Sequence, residues 1–211
     1  MSSKPARALG LVGTLTGLMM LTTLPAQAKD LSITKVSGDT VSVDWTVVGP
    51  LDGATGNLHV GYAQFGDNGD DDFVEGFEFD YQCPDTFVPT QIGSLGVTEA
   101  EQAGCEWLND RYLEGGDITV DVSPRLASAV VTGTVYDVIA DEMVPIDLTV
   151  EGTSPLVKDE TRDHVPGQFT TTSRTTTRTG TVSGTITNFG LGSATLTSGK
   201  IVHSEYRTVT H

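Results

Sequence analysis

Apolar and polar residues alternate one by one along much of this chain, and this two-residue period constrains the fold more than any other feature of the sequence. In the run TVSVDWTVV, Val41, Val43 and Trp45 share one parity, whereas Ser42 and Asp44 share the other. Because successive side chains of an extended strand point to opposite faces, this pattern is typical of a half-buried β-strand. About ten such runs predict an all-β fold, an antiparallel β-sandwich or barrel with at most one short helix near 98–113.

The positions of small and polar residues predict where these strands end, and their alternation predicts the core. Tight turns are expected at 37–39 and 198–199, where Ser-Gly pairs occur, and a polar loop is expected over 154–167. Ten side chains are predicted to face one common core: Val41, Val43, Trp45, Val120, Val122, Val135, Ile146, Leu148, Val182 and Ile186.

The segment between the two cysteines departs from the two-residue period. Thr98 and Glu101 fit a capping box, in which each side chain accepts a hydrogen bond from a backbone N–H at the start of a helix. The run EAEQAGCEWLNDRYL is therefore predicted to be a short helix. The alternative is an irregular loop that a disulfide holds in place.

The first 28 residues carry the three-part pattern of a secretory signal peptide. Lys4 and Arg7 precede the apolar run ALGLVGTLTGLMMLTTL, and AQA, which ends at Ala28, is a small-residue cleavage site. We therefore expect residues 1–28 to be removed and the protein to be secreted, with no membrane span after removal. Residues 29–211 are predicted to form a single all-β domain. The alternative is a division near 116–125, where an acidic first half meets a Thr-rich, nearly neutral second half.

The chain contains two cysteines, Cys83 and Cys105. In an exported protein a lone pair of cysteines forms a disulfide far more often than it remains as two thiols. No histidine neighbours either cysteine, so the sequence offers no partner for a catalytic thiol. We predict that the pair is bonded and that the segment between the cysteines covers the sheet.

The charge of the chain excludes some partners and favours others. The formal net charge is −16, and removal of Lys4 and Arg7 with the signal peptide would make it −18. Such a surface repels the phosphates of nucleic acids and of anionic membranes. Cations and cell-surface glycans remain as the partners we consider.

An acidic stretch, FGDNGDDDFVEGFEFDYQC, joins two predicted strands through an Asn-Gly turn. Its spacing does not match an EF-hand loop, because Gly69 lies where that loop needs an oxygen ligand and Asp72 lies where it needs glycine. Hard carboxylate oxygens nevertheless suit Ca²⁺. The alternatives are a solvated acidic hairpin and a calcium site. The predicted ligands of that site are Asp67, Asp70, Asp71, Asp72 and Glu78.

A second unusual stretch is rich in threonine. Every odd position from 171 to 187 holds Thr or Ser, which places the hydroxyl groups on one face of an extended strand. Threonine favours strands, so the simplest interpretation is a long solvated strand, and the alternatives are a hydroxyl array for ice or carbohydrate and an O-glycosylated segment.

The last third of the chain resembles a segment found in uncharacterised secreted all-β proteins of high-GC Gram-positive bacteria. The resemblance rests on the LTxxGxxPL pattern from Leu148 to Leu156, on the PGxF pattern that ends at Phe169, and on the TGTVS pattern that ends at Ser183. It implies export and an all-β fold, and it implies no particular activity.

No catalytic motif is present in the sequence. It lacks the G-x-S-x-G pattern of α/β-hydrolases and the H-E-x-x-H pattern of zinc proteases, and its four histidines are isolated from one another. We therefore predict no catalytic residues and no cofactor other than calcium. The most favoured function is a non-enzymatic binding or structural module. The alternatives are a calcium-binding or carbohydrate-binding module and a small enzyme of unrecognised type.

Overall fold

The computed structural model describes residues 32–67 and 72–210, so the predicted signal peptide lies outside the described residues. These residues form an all-β fold with one short helix, α1 (Gly93–Gln102), as the sequence predicts. The described strands are β1 (Ser32–Val48), β2 (Leu58–Asp67), β3 (Asp72–Gln82), β4 (Glu106–Val122), β5 (Ser128–Asp137), β6 (Glu142–Gly152), β7 (Val157–Val165), β8 (Phe169–Ile186) and β9 (Leu196–Thr210).

All strand pairings are antiparallel, in the order β6-β5-β4-β3-β2-β1-β9-β8-β7. Strand β6 also pairs with residues 180–186 of β8, so that eight strands form a closed ring of hydrogen-bonded neighbours. The first part of β8 pairs instead with β7. Beyond the ring, β7 and the adjoining parts of β8, β9 and β1 therefore form a four-stranded extension of the sheet, which we call the extension.

The predicted core is confirmed. Val41, Val43 and Trp45 are completely buried inside the ring, and Val120, Val122 and Val182 are partly buried against the same cluster. The other four predicted residues, Val135, Ile146, Leu148 and Ile186, are also buried there. Residues Leu31–His211 form one compact unit, and β4 runs through the region near 116–122 with a register shift between Glu114 and Gly116.

Both predicted turns were wrong, because each lies inside a long strand. Gly38 pairs with Ser204 and Asp39 pairs with His203, so β1 is continuous across 37–39. The Nδ1 of His203 lies 2.8 Å from Oδ1 of Asp39 and ties these two positions together. Gly199 likewise pairs within β9, with Val43 on one side and Gly180 on the other. Continuous partners satisfy the backbone hydrogen-bonding groups of these small residues, which removes the need for a turn.

The predicted loop over 154–167 was also wrong in part, because residues 157–165 form β7. Nearly every side chain of β7 is exposed. A strand without a buried face has no apolar alternation, which is the reason that the sequence pattern did not reveal it.

The helix lies earlier in the chain than predicted. Helix α1 begins after Ile92, and Thr98 lies within it, where its hydroxyl donates to the carbonyl of Ser94 at 3.2 Å. Residues 106–113 form the first half of β4 rather than helix, because they pair with β3 in the register Phe77–Tyr112. Gly104, with φ 75°, supplies the left-handed residue at which the chain leaves the helix.

The disulfide and its covering segment are confirmed. Cys83 and Cys105 are bonded with a Cα–Cα distance of 4.2 Å. Ala100 of α1 packs with Leu58 and Val60 in a second small core on the outer side of β2. The disulfide therefore holds a helical cover over one end of the outer face. In the part of the chain that the structure describes, no helix is long and apolar enough to cross a membrane.

Candidate functional site

Strand β3 turns its polar face inward and its aromatic face outward. Glu78 and Asp80 are completely buried, whereas Phe77 and Phe79 are half-buried on the outer side. The completely buried indole of Trp45 gives one reason for this orientation, because its N–H requires an acceptor. Gly61 leaves the space for that indole, since a Cβ at this position would lie 2.0 Å from the Trp45 ring.

Glu78 is the acceptor for Trp45. Its Oε2 receives hydrogen bonds from Trp45 Nε1 at 2.6 Å and from the backbone N–H of Gly190 at 2.7 Å. Among the described residues its Oε1 has no hydrogen-bond partner, and it lies 3.8 Å from Nη1 of Arg111. Burial raises the pKa of Glu78, and the hydrogen bonds from Trp45 and Gly190, together with the charge of Arg111, oppose that rise.

His59, Asp80 and Arg111 complete a buried polar cluster with Glu78. His59 Nδ1 lies 2.7 Å from Asp80 Oδ1, and His59 Nε2 lies 3.1 Å from the carbonyl oxygen of Gly49. Each ring nitrogen thus faces an oxygen atom. Arg111 Nη2 lies 3.8 Å from Asp80 Oδ2.

This cluster holds loops to the ring rather than exposing reactive groups. Arg111 donates to the carbonyl oxygens of Gly53, at 3.0 Å, and of Asn188, and Glu78 holds Gly190. All four side chains of the cluster are buried. We interpret the cluster as structural. Sequence reasoning missed it, although the alternation of Glu78 and Asp80 with the phenylalanines of β3 was visible.

The predicted calcium ligands are only partly within the described residues. Asp70 and Asp71 lie outside them, and Asp67 and Asp72 are exposed and directly opposite each other at the end of the β2–β3 pair. Glu78 is about 20 Å further along β3, at roughly 3.3 Å per residue, and is engaged in the core. Glu78 therefore does not belong with the hairpin. Within residues 32–67 and 72–210, no group of three or more His, Cys, Asp or Glu side chains is arranged to hold a metal ion.

Four aromatic rings lie side by side on the outer side of β2, β3 and β4, and we call them the aromatic face: Tyr62, Phe77, Phe79 and Tyr112. The ring centroids are 5.7 Å apart for Tyr62 and Phe77, and 4.9 Å apart for Phe77 and Phe79. Tyr112 lies edge-on to Phe79, with a centroid distance of 6.5 Å and an interplanar angle of 87°. On the outer side of β2, the aromatic face lies next to the residues that α1 covers.

Polar groups border these rings. The Tyr112 hydroxyl donates to Asp110 Oδ2 at 2.6 Å, and the Tyr62 hydroxyl donates to Gln64 Oε1. The hydrogen bond to Asp110 raises the pKa of Tyr112, because it stabilises the protonated phenol. Trp107 is 57% exposed and pairs with Tyr81 of β3. The phenylalanines of this face alternate with acidic residues along β3, whereas the two tyrosines join them through the strand register.

The threonine stripe lies along β8. Its odd positions from 179 to 185 are exposed, which agrees with a solvated strand. At the other end, Thr171 lies opposite Thr208 of β9, which lies opposite Thr34 of β1, and the first two hydroxyl groups are 3.2 Å apart. The next row contains Val36 and Tyr206, so the hydroxyl groups do not continue as a uniform array.

Comparison with known proteins identifies no family. No family model matches the chain, and no curated protein matches it. One similar solved structure is described as "Enduracididine biosynthesis enzyme MppR complexed with the condensation product of pyruvate and imidazole 4-carboxaldehyde". It has a TM-score of 0.30 and 14% identity over 84% of this chain and 86% of that chain. Similarity at this level carries no argument about the function of this protein.

Proposed function

We propose that this protein is an exported, non-enzymatic module that binds sugar rings through the aromatic face. The observation that carries the proposal is the row of four aromatic side chains on the outer side of three neighbouring strands. Tyr112, at the edge of this row, is 38% exposed. Large aromatic side chains on an open sheet face are typical of interaction sites rather than of a solvated surface.

The chemistry of the face matches that of a carbohydrate. A pyranose ring has apolar C–H faces and a rim of hydroxyl groups. The aromatic rings offer flat apolar surfaces for the former, while Gln64 and Asp110 at the border offer oxygen acceptors for the latter. Strands hold these groups in place, so little side-chain or backbone order has to be gained on binding.

Export is part of the proposal. The signal-like segment 1–28 and the acidic composition support it, and the Cys83–Cys105 disulfide is of the kind that persists in oxidising compartments. Outside the cell, glycans are abundant ligands, and the negative surface would select neutral glycans over acidic ones.

Titration calorimetry of the purified protein tests the proposal. The ligands are a panel of neutral oligosaccharides that includes gluco-, manno-, xylo- and chito-oligomers. We expect one class of oligosaccharide to bind. Tyr112→Ala should weaken that binding about tenfold, which corresponds to a loss of roughly 1.4 kcal/mol of binding free energy. Tyr206→Ala is the matched control, because Tyr206 is an exposed tyrosine of β9, away from the aromatic face. Absence of binding to the whole panel, or equal binding by Tyr112→Ala and the wild type, would refute the proposal.

A calcium site at the β2–β3 hairpin is the second candidate. The observation that favours it is the direct opposition of Asp67 and Asp72, because like charges at paired positions of two strands destabilise each other and a divalent cation would relieve that repulsion. With Asp70 and Asp71 between them, the hairpin offers four carboxylates to such an ion.

A further inference from the structure

In the extension, the side chains on the same strand faces as the core of the ring are polar or charged rather than apolar. Lys35 lies on the parity of buried Val41 in β1, and Arg207 lies on the parity of buried Ile201 in β9. Inside the ring this face is apolar. Beyond the ring it lines a cavity of about 600 Å³, and we call the cavity the cationic groove; its basic residues are Lys35, Arg162, Arg174 and Arg207.

Three of these cations lie in one row across the strands. Lys35 of β1 lies directly opposite Arg207 of β9, and Arg207 lies opposite Thr172 of β8, which in turn lies opposite Arg162 of β7. Side chains at paired positions of antiparallel strands have Cβ atoms about 5 Å apart, so Lys35 and Arg207 repel each other. Such a row is unfavourable for the protein by itself.

The acidic side chains of the adjacent row pair with other basic residues. Arg174, in the adjacent row, forms an ion pair with Glu160 at 2.8 Å, and Glu205 in the same row lies 3.6 Å from His203 Nε2. Those carboxylates also line the cavity, yet among residues 32–67 and 72–210 Lys35, Arg162 and Arg207 form no ion pair. Three un-neutralised cations are thus concentrated in one groove of a chain whose net charge is −16.

We propose that the cationic groove binds a compact multivalent oxyanion, such as a diphosphate or a tricarboxylate. Two guanidinium groups and one ammonium supply charged donors from three strands, and the Thr172 hydroxyl lies between Arg207 and Arg162. The guanidinium fork matches the oxygen pairs of phosphate and carboxylate. A cavity of about 600 Å³ has the size of a small-molecule site.

The charge of the whole protein favours a compact ligand over an extended polyanion. A long polyanion would run beyond the groove across a surface that is negative overall, and it would be repelled there. A small anion within the groove meets the local cations first. This site is separate from the aromatic face, so neither proposal depends on the other.

Titration calorimetry tests this inference. Chelator-treated protein is titrated with sodium pyrophosphate and with sodium citrate, and sodium chloride at equal ionic strength is the control. Chelator treatment removes any hairpin cation that pyrophosphate or citrate would otherwise extract. We expect saturable binding of at least one of the two anions, and the arm that binds more tightly distinguishes phosphate from carboxylate recognition. Absence of saturable binding by both anions would overturn the proposal.

Variants locate the site. Arg207→Gln and Arg162→Gln should each weaken binding roughly tenfold or more, the effect of losing a charged hydrogen-bond donor. Lys200→Gln is the matched control, because it removes the same charge from β9 at a residue of the opposite side-chain parity, outside the groove. The unliganded Arg207→Gln protein should unfold at the same temperature as the wild type or higher, since the substitution relieves repulsion with Lys35.

Three outcomes would refute this assignment. If both arginine variants keep the affinity of the wild type, the anion binds elsewhere. If Lys200→Gln loses as much affinity as the arginine variants do, the effect is one of net charge alone. If an Arg→Gln variant fails to fold, Arg207→Lys keeps the charge and loses the planar fork, so it should still bind but more weakly than the wild type. The proposal would likewise be overturned if Arg207→Lys and Arg162→Lys both bound the anion as tightly as the wild type does.

Discussion

Substitution of Trp45 tests the buried contact that orients β3. Its indole is completely buried, lies edge-on to Phe189 at a centroid distance of 6.4 Å, and donates to Glu78 at 2.6 Å. Trp45→Ala should reduce the free energy of unfolding by about 3–5 kcal/mol through the cavity that it leaves. A further cost of about 1–3 kcal/mol arises because the buried Glu78 carboxylate loses a donor.

Trp45→Phe separates these two contributions. It keeps most of the ring volume and removes the N–H, so its cost should be close to the about 1–3 kcal/mol of the lost hydrogen bond. Glu78→Gln leaves an acceptor for Trp45 and Gly190 but removes the charge. The Trp45 N–H would then donate to a neutral amide, and a hydrogen bond to a neutral group is weaker than one to a carboxylate. The double variant should therefore cost less than the sum of the single variants, which is the signature of a direct contact.

The pH dependence adds an independent measurement. Burial raises the pKa of Glu78 in the folded state, so its contribution to stability is fully present below the unfolded pKa, near 4.5, and is lost as pH rises through the folded pKa. Glu78→Gln should therefore gain stability relative to the wild type as pH rises. Trp45→Phe should lose stability over the same range, because it removes a hydrogen bond that lowers that pKa.

Urea unfolding followed by far-ultraviolet circular dichroism measures all these variants. Trp107→Ala, at a 57% exposed tryptophan of β4, is the control for loss of an indole and should cost little. A loss well under 1 kcal/mol for Trp45→Ala would show that the indole is not a core element. Additive costs of Trp45→Phe and Glu78→Gln would refute the proposed coupling.

Three further predictions concern the disulfide, the hairpin and one histidine. Reduction of the disulfide should lower the free energy of unfolding by about 3 kcal/mol in the chain-entropy model, and an unchanged urea midpoint would contradict this. Calcium should raise the thermal midpoint more than magnesium does, and Asp70→Asn with Asp71→Asn should abolish that difference; an equal rise in this double variant would exclude the site. The Asp39 hydrogen bond raises the pKa of His203, so its stabilisation is present below about pH 6.5 and is lost as pH rises through the folded pKa. His203→Gln should therefore flatten this part of the midpoint-against-pH curve, and an unchanged curve would contradict the assignment.

The sequence by itself determined the elements that depend on local pattern. Alternation identified the apolar parity of β1 and the members of the core, because a strand with one buried face repeats every two residues. The isolated cysteine pair identified the disulfide. The alternation in β3 also places Phe77 and Phe79 on one face, and these two side chains form half of the candidate binding site.

Tertiary structure decided everything that depends on which strands meet. Alternation divides β3 into two faces but does not say which one is buried, and the need of Trp45 for an acceptor turned Glu78 inward. The small residues at 37–39 are typical of a turn, but in the structure they pair with the long strand β9. The cationic groove joins side chains from β1, β7 and β9, whose register across distant parts of the chain leaves no local signal, because pairing of strands far apart in sequence is set by the packing of the whole ring.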